Sequence, residues 1–294
     1  MEILITVLVT LAVLLGLIYI GVIIGAVRAS LFPIRIHQFL SPGMMGFGQT
    51  NFEVKTDDDV AIRGWATKGS GDLVVVCAHG YLVNRSQWVP VSQQLVPKGA
   101  SMVFFDHRGH GQSGKAKVTL GRDERQDVLA VLKWVRAEFP GKKIVMLASS
   151  MGAVASCLAT QEPGGEVDAL VLDGPYRSMQ EASDAWWLFL GGAGVAKWMR
   201  PTALVGPWLL GFKPGQIRVD LALAKLGSHV PVLFFFGGAD PIVPLSSAKL
   251  LEESVPGPVK AVTFEGATHG AGCIQYPAIF RDELEKFLVL HDLL

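Results

Sequence analysis

The 294-residue sequence predicts an α/β protein in which a mostly parallel central sheet is flanked by helices and preceded by one membrane-spanning helix. Three observations carry this expectation. Ile3 to Val27 is a run of 25 residues without a charged side chain, and 20 of them are apolar. Beyond residue 50, short continuous apolar runs alternate with helical patterns, as strands buried on both faces and joined by crossover helices require. Reactive residues fall at the ends of those runs, where open α/β sheets place their sites.

As a helix the N-terminal run would extend roughly 37 Å, enough to cross a hydrocarbon core of about 30 Å with some tilt. A buried core helix would show a polar face, and this run has none. A cleaved signal peptide is the competing reading, because Val27-Arg28-Ala29 before Ser30 loosely fits a cleavage site. Met1-Glu2 supplies no basic start, however, and the run exceeds a typical signal core of about 7–15 residues. Residues 1–28 are therefore read as a retained anchor and 29–50 as a linker, interrupted by Pro33, Pro42, Gly43, Gly46 and Gly48. Arg28 and Arg35 follow the helix and no Lys or Arg precedes it, which places the C-terminal domain in the cytoplasm. Gly21 and Gly25 form a GxxxG, a possible homodimer seam.

The remaining composition excludes several classes. The 26 Lys and Arg balance 26 Asp and Glu, whereas a nucleic-acid binder would carry a basic excess. Half the chain is apolar, too much for a disordered protein, and three Cys cannot staple a disulfide scaffold. Cys77, Cys157 and Cys273 are expected to be buried and reduced. No His, Cys, Asp or Glu cluster has metal-ligand spacing, no Gly-rich phosphate loop follows a strand, and no cofactor is expected.

The domain is read from residue 51 to the end. Phe52 to Lys55 and Val60 to Trp65 flank Asp57-Asp58-Asp59 as a hairpin. Leu73–Ala78, Met102–Asp106, Ile144–Ala148, Ala169–Asp173, Val232–Phe236 and Val259–Phe264 read as buried strands. Arg122–Phe139, Met151–Gln161, Ser246–Val255 and Ile274–Leu290 read as helices; in the first, Val128, Leu129, Leu132 and Val135 share a face.

The strand ends form a hydrolytic set. The strand at Ile144 runs into Ala148-Ser149-Ser150-Met151-Gly152 and then a helix, a nucleophile elbow G-x-S-x-G with Ala148 in place of the first Gly. A nucleophile on so sharp a turn needs small neighbours two before and two after, and Ala148 meets that demand. Ser150 is the expected nucleophile; Ser149 lacks a glycine two residues later. A serine hydroxyl needs a base, and the base an orienting acid. The strand ending at Phe236 leads to Asp240, and the strand ending at Phe264 leads to His269. The order Ser150, Asp240, His269 suits this arrangement. Taken singly, Asp240 is equally a turn residue before Pro241 and His269 a loop histidine. Asp173, also at a strand end, is the rival acid. Oxyanion donors are expected at the backbone N–H of Met151 and, after His79-Gly80, of Tyr81. His79 is read as shaping that loop.

These motifs, with Asp106-His107-Arg108-Gly109-His110-Gly111-Gln112-Ser113, Gly238-Ala239-Asp240 and Thr268-His269, resemble the α/β-hydrolase superfamily from about residue 50 to the end. Asn84-Arg85 and Asp173-Gly174-Pro175-Tyr176 make the chain most similar to the membrane-anchored, Bem46-like branch, which resembles the serine aminopeptidase-type hydrolase domain. The resemblance implies an α/β-hydrolase fold, a structural role for the Asp106 to Ser113 loop, and a helical lid inserted at about 176–228. Four of the seven Trp fall in that insertion, at 186, 187, 198 and 208. Trp186 and Trp187 are candidate substrate-binding residues, and an apolar lid suits an acyl chain or the membrane interface. Packing of the lid onto the core would explain the same aromatics.

The expected function is therefore a membrane-anchored serine hydrolase that cleaves an ester or thioester of an acyl or lipid-like substrate. A peptidase or amidase is the alternative, since Glu181 and Asp184 beside Trp186 offer acidic partners for an amine. A non-catalytic binding module on the same fold would be marked by a broken triad. Asn84-Arg85-Ser86 matches a glycosylation acceptor, read as coincidence.

Overall fold

A computed structural model describes residues 1–294. Helix α1 (Glu2–Leu31) is followed by β1 (Thr50–Lys55), β2 (Ala61–Thr67) and β3 (Leu73–Ala78). Then come short α2 (Ser92–Leu95), β4 (Ser101–Phe105), α3 (Glu124–Glu138), β5 (Lys143–Ser149), α4 (Met151–Ala159) and β6 (Ala169–Asp173). The insertion holds α5 (Met179–Met199), α6 (Thr202–Leu210) and α7 (Val219–Leu223). The chain closes with β7 (Val232–Gly237), α8 (Leu245–Ser254), β8 (Val259–Phe264), α9 (Gly272–Gln275) and α10 (Pro277–Leu290). The predicted helix over 274–290 is two helices, because Pro277 cannot continue α9 yet is well suited to open α10.

The strands form one sheet of eight in the order β1-β2-β4-β3-β5-β6-β7-β8. β2 pairs antiparallel with both β1 and β4, and the other six strands are parallel. Alternation along each strand divides the apolar residues between two cores. Val74, Val76 and Ala78 of β3 face one core, whereas Leu73, Val75 and Cys77 face the other. Ile144, Met146 and Ala148 of β5 lie in the first, Val145 and Leu147 in the second. Burial on both faces explains why these strands read as unbroken apolar runs.

β4 lies on one side of β3 and β5 on the other. The chain thus reverses direction across the sheet at β3 and β5, and a crevice opens beyond their carboxyl ends. The sheet topology places there the two loops that the sequence marks as the oxyanion loop and the elbow. This is the α/β-hydrolase fold with a helical lid, preceded by a helix long and apolar enough to cross a membrane.

Residues 29–50, expected as a linker, have almost no regular structure but do not hang free. Asn84 Nδ2 donates to the carbonyls of Ile36 and His37 at 3.1 and 3.0 Å. Gln38 Nε2 donates to Asp106 Oδ2 at 2.8 Å, and Ser86 Oγ donates to the Leu40 carbonyl. Val118 N–H donates to the Leu31 carbonyl at 2.8 Å, so the end of α1 is also fastened. Gly21 and Gly25 meet nothing within this chain.

Candidate active site

Ser150 is the first residue past β5 and sits at φ 49°, ψ −116°, a conformation that L-residues rarely adopt. The turn is held by the Ser150 N–H donating to the Asp173 carbonyl at 2.8 Å. Such strain persists where the surroundings over-determine it, and here it lifts the hydroxyl above the sheet. The glycine of the elbow is sterically required. A Cβ on Gly152 would lie 2.5 Å from the His79 carbonyl oxygen and 2.7 Å from that of Ala78. Ala148, in contrast, is accommodated fully buried between Ala78 and Leu172.

The structure brings Ser150, Asp240 and His269 together. Ser150 Oγ is 2.8 Å from His269 Nε2, and His269 Nδ1 is 2.7 Å from Asp240 Oδ2. The carboxylate fixes the tautomer: Nδ1 carries the proton and donates it to Asp240, leaving Nε2 free to accept from the serine hydroxyl. Asp240 is almost completely buried, while the His269 ring keeps partial access to the cavity. The rival acid, Asp173, makes no hydrogen bond to the ring. Its carboxylate accepts a long bond of 3.4 Å from Ser149 Oγ, and burial pushes its pKa up to about 6.

The N–H of Met151 heads α4, where a helix has no internal acceptor for it. The loop after β3 brings Gly80 against the nucleophile, with a Gly80 Cβ position 3.5 Å from Ser150 Cβ. Gly80 N–H is occupied by Gln87 Oε1 at 2.9 Å, whereas Tyr81 N–H donates to no protein acceptor. Two free donors therefore flank the serine, on Met151 and Tyr81. His79 is fully buried and shapes the loop: Nδ1 donates to the Gly80 carbonyl at 2.6 Å and Nε2 accepts from His107 N–H at 2.9 Å. Burial and the neighbouring His107 and His110 hold its pKa well below the usual histidine range.

The loop from Asp106 to Ser113 is a structural support. Asp106 Oδ1 accepts from Arg85 N–H at 2.9 Å, and Oδ2 from Gln112 N–H at 2.8 Å. Arg108 is buried between Asp127, at 2.8 Å, and Asp58, at 2.6 Å. Asn84 is fully buried with its amide engaged, so the glycosylation-like triplet is no acceptor. The cysteines are unpaired and none lies on the elbow. Cys77 and Cys157 are buried as expected, but Cys273, beside the cavity loop of His269, is only partly buried, and desolvation pushes the Cys157 and Cys273 thiols up to about 12.

Ser150 and His269 open into a cavity of about 910 Å³ lined mainly by hydrophobic side chains. Trp186 and Trp187 both line it. Trp186 packs edge-on to Tyr81 at 5.6 Å, and Trp187 Nε1 donates to Thr202 Oγ1 at 2.9 Å. The other two lid tryptophans, Trp198 and Trp208, lie exposed on the outer surface. Sequence reasoning missed one contributor altogether: Val27, Ser30 and Leu31 of α1 also line this cavity. The sign available in the sequence was the spacing of Ile23, Val27 and Leu31, four residues apart, hidden in a helix that is apolar all round.

Comparison with known proteins defines the class. Residues 69–220 match the family of serine aminopeptidase, S33, hydrolases, and the chain belongs to that family of α/β-hydrolases. It is 29% identical over 246 residues to an uncharacterised protein of Mycobacterium tuberculosis, covering 80% of this chain and 77% of the relative. It is 24% identical over 240 residues to human monoglyceride lipase, covering 70% and 78%. The esterase Pf2001 of Pyrococcus furiosus superposes with a TM-score of 0.72 at 24% identity, covering 87% of this chain and 97% of that one.

Proposed function

We propose that this protein is a membrane-anchored serine hydrolase that cleaves a carboxylic ester or thioester of an acyl substrate. The observation that carries the proposal is the continuous relay from Ser150 Oγ through His269 to Asp240, opening into an apolar cavity. In the first half-reaction His269 Nε2 takes the proton as Ser150 Oγ bonds to the acyl carbon. The oxyanion is held by the N–H groups of Met151 and Tyr81, each worth about 10²–10³ in rate. Collapse breaks the acyl–oxygen or acyl–sulfur bond, and His269 returns the proton to the departing alcohol or thiol. In the second half-reaction His269 deprotonates water, which attacks the acyl-enzyme and releases the carboxylic acid and free Ser150.

Two features support ester over peptide. The cavity wall is largely aliphatic and aromatic, as an acyl chain demands. The relatives with assigned names include monoglyceride lipase and, over 127 residues at 32% identity, lysophospholipase L2 of Escherichia coli. The aminopeptidase reading keeps one specific support, since Asp184 lines the cavity and would face a substrate amine. Glu181 is already paired with Arg177 and Ser247. A retained α1 is favoured over a cleaved signal because Val27 and Leu31 are built into the core of the domain. Arg28 and Arg35 at the domain end of α1 favour a cytoplasmic domain.

The test is fluorophosphonate labelling and turnover of wild type and Ser150→Ala. Labelling at Ser150 with hydrolysis of p-nitrophenyl acyl esters is expected, and both vanish in the variant. Persistent labelling of the variant refutes the nucleophile. Faster turnover of aminoacyl-naphthylamides than of acyl esters moves the assignment to a peptidase.

A further inference from the structure

The anchor and the reaction cavity share residues. Apart from the half-buried Tyr19, residues 3–22 of α1 are exposed all round, whereas Ile23, Val27 and Leu31 are buried. Residues at this spacing form one stripe along a helix face. The exposed stretch is about 30 Å long, the thickness of a hydrocarbon core. Where that stretch ends, the cavity wall begins, with Val27, Ser30 and Leu31 facing the same space as Ser150 and His269.

The lid meets the same helix at the domain end of that exposed stretch. Tyr19 donates its hydroxyl to the Trp198 carbonyl, and the two rings pack edge-to-face at 5.6 Å. Ile20, Ile23 and Ile24 form an apolar groove with Leu204, Val205 and Trp208 of α6. Trp198, Leu204 and Trp208 are 68%, 80% and 77% exposed beside this groove. Tyr19 and Val27 are eight residues apart, about 12 Å along the helix. The helix end also steadies the reaction loop, because the Tyr81 hydroxyl donates to the Ser30 carbonyl at 2.8 Å.

Resting on the hydrolase reading above, we infer that α1 is the acyl-side wall of the active site as well as the anchor, and that substrate arrives from the bilayer along it. The substrate class is a membrane-resident, long-chain acyl ester. Its chain slides along the groove between α1 and α6 and lies against Val27 and Leu31 while the carbonyl reaches Ser150. Lateral entry keeps the chain out of water throughout, which a route through bulk solvent would not.

The experiment uses the full chain in phosphatidylcholine vesicles with a long-chain alkyl fluorophosphonate that carries a diazirine at the end of its chain. After Ser150 is labelled, irradiation is expected to cross-link the chain end to the α1 peptide containing Val27 and Leu31 or to α6 at Leu204 to Trp208, with α1 represented. Labelling at Ser150 with cross-links only outside α1 overturns the route and leaves the hydrolase reading standing. No labelling at Ser150 overturns the hydrolase reading and the route with it. A second measurement compares turnover of a vesicle-embedded long-chain monoacyl ester with that of p-nitrophenyl acetate. Val27→Trp should lower this ratio roughly tenfold or more, as obstruction of an apolar pocket does. Leu14→Trp, in the exposed stretch, should leave it unchanged. An unchanged ratio in Val27→Trp, or an equal fall in Leu14→Trp, overturns the proposal.

Discussion

Asp240 holds His269 with one oxygen and its own loop with the other. Oδ2 lies 2.7 Å from His269 Nδ1, while Oδ1 accepts the N–H groups of Ile242 and Val243 at 2.8 and 3.0 Å. The carboxylate is thus a turn residue and the partner of the histidine at once, and the turn sets the plane in which it meets the ring. Asp240→Asn would replace an acceptor with an amide that favours the wrong imidazole tautomer. A fall in kcat on the order of 10⁴ is expected, as in other triads. Asp173→Asn should cost far less. Steady-state ester hydrolysis by both variants checks the assignment, and the reverse ranking would move the acid to Asp173.

The two small residues of the elbow should not behave alike. Gly152→Ala places a methyl 2.5 Å from the His79 carbonyl oxygen, so α4 must shift away from the end of β3. Overpacking of this kind costs about 1–3 kcal/mol, and the displaced Met151 N–H should reduce kcat as well. Ala148→Gly removes only a methyl from a fitted strand position. It should cost about 0.5–1 kcal/mol in stability and keep most activity. Denaturant melts and ester turnover on the pair test the contrast.

Stability should fall in acid through the buried histidines. Burial lowers the His110 pKa to about 4 and holds that of His79 well below its usual value. An unfolded chain binds these protons near pH 6.5, whereas the folded chain binds that of His110 only near 4 and disfavours that of His79 through burial, so below 6.5 added protons favour unfolding. Each pH step below 6.5 then costs up to about 1.4 kcal/mol per histidine. Asp173 acts in the opposite sense: its pKa, raised to about 6, gives stability at low pH that is lost as pH rises from about 4 to 6. Glu124, also raised by burial, acts with Asp173, while Asp58, lowered by its Arg108 hydrogen bond, sides with the two histidines, and the balance falls in acid. Thermal melts from pH 7 to 4.5 should show a falling Tm, and a shallower fall in His110→Gln.

Arg108 is a buried structural support that pairs with Asp127 and Asp58. Its Nε bonds Asp127 Oδ1 at 2.8 Å, and Asp127 also accepts the Arg108 N–H at 2.9 Å. Arg108→Ala leaves the fully buried Asp127 without its countercharge, which costs about 3–5 kcal/mol. Asp58→Ala removes a half-exposed partner and should cost less than about 1 kcal/mol. Chemical denaturation of both variants separates buried from surface pairing.

The sequence by itself determined the strands, the crossover helices, the elbow and the order of the reactive residues. These leave local signatures: a strand buried on both faces must be continuously apolar, and an elbow packed against the end of a neighbouring strand must be flanked by small residues. Tertiary structure alone decided which acid meets His269, since Asp240 and Asp173 end neighbouring strands and only their positions across the sheet separate them. It likewise decided that the segment from 29 to 50 is tied to Asn84, Ser86 and Asp106, through bonds spanning some 46 to 68 residues. Most of all, it decided that Val27 and Leu31 of α1 line the cavity. In a helix apolar all round, periodicity cannot tell a lipid-facing side chain from one facing a cavity. Val27 and Leu31 are distinguished from their neighbours only by the domain that folds against them.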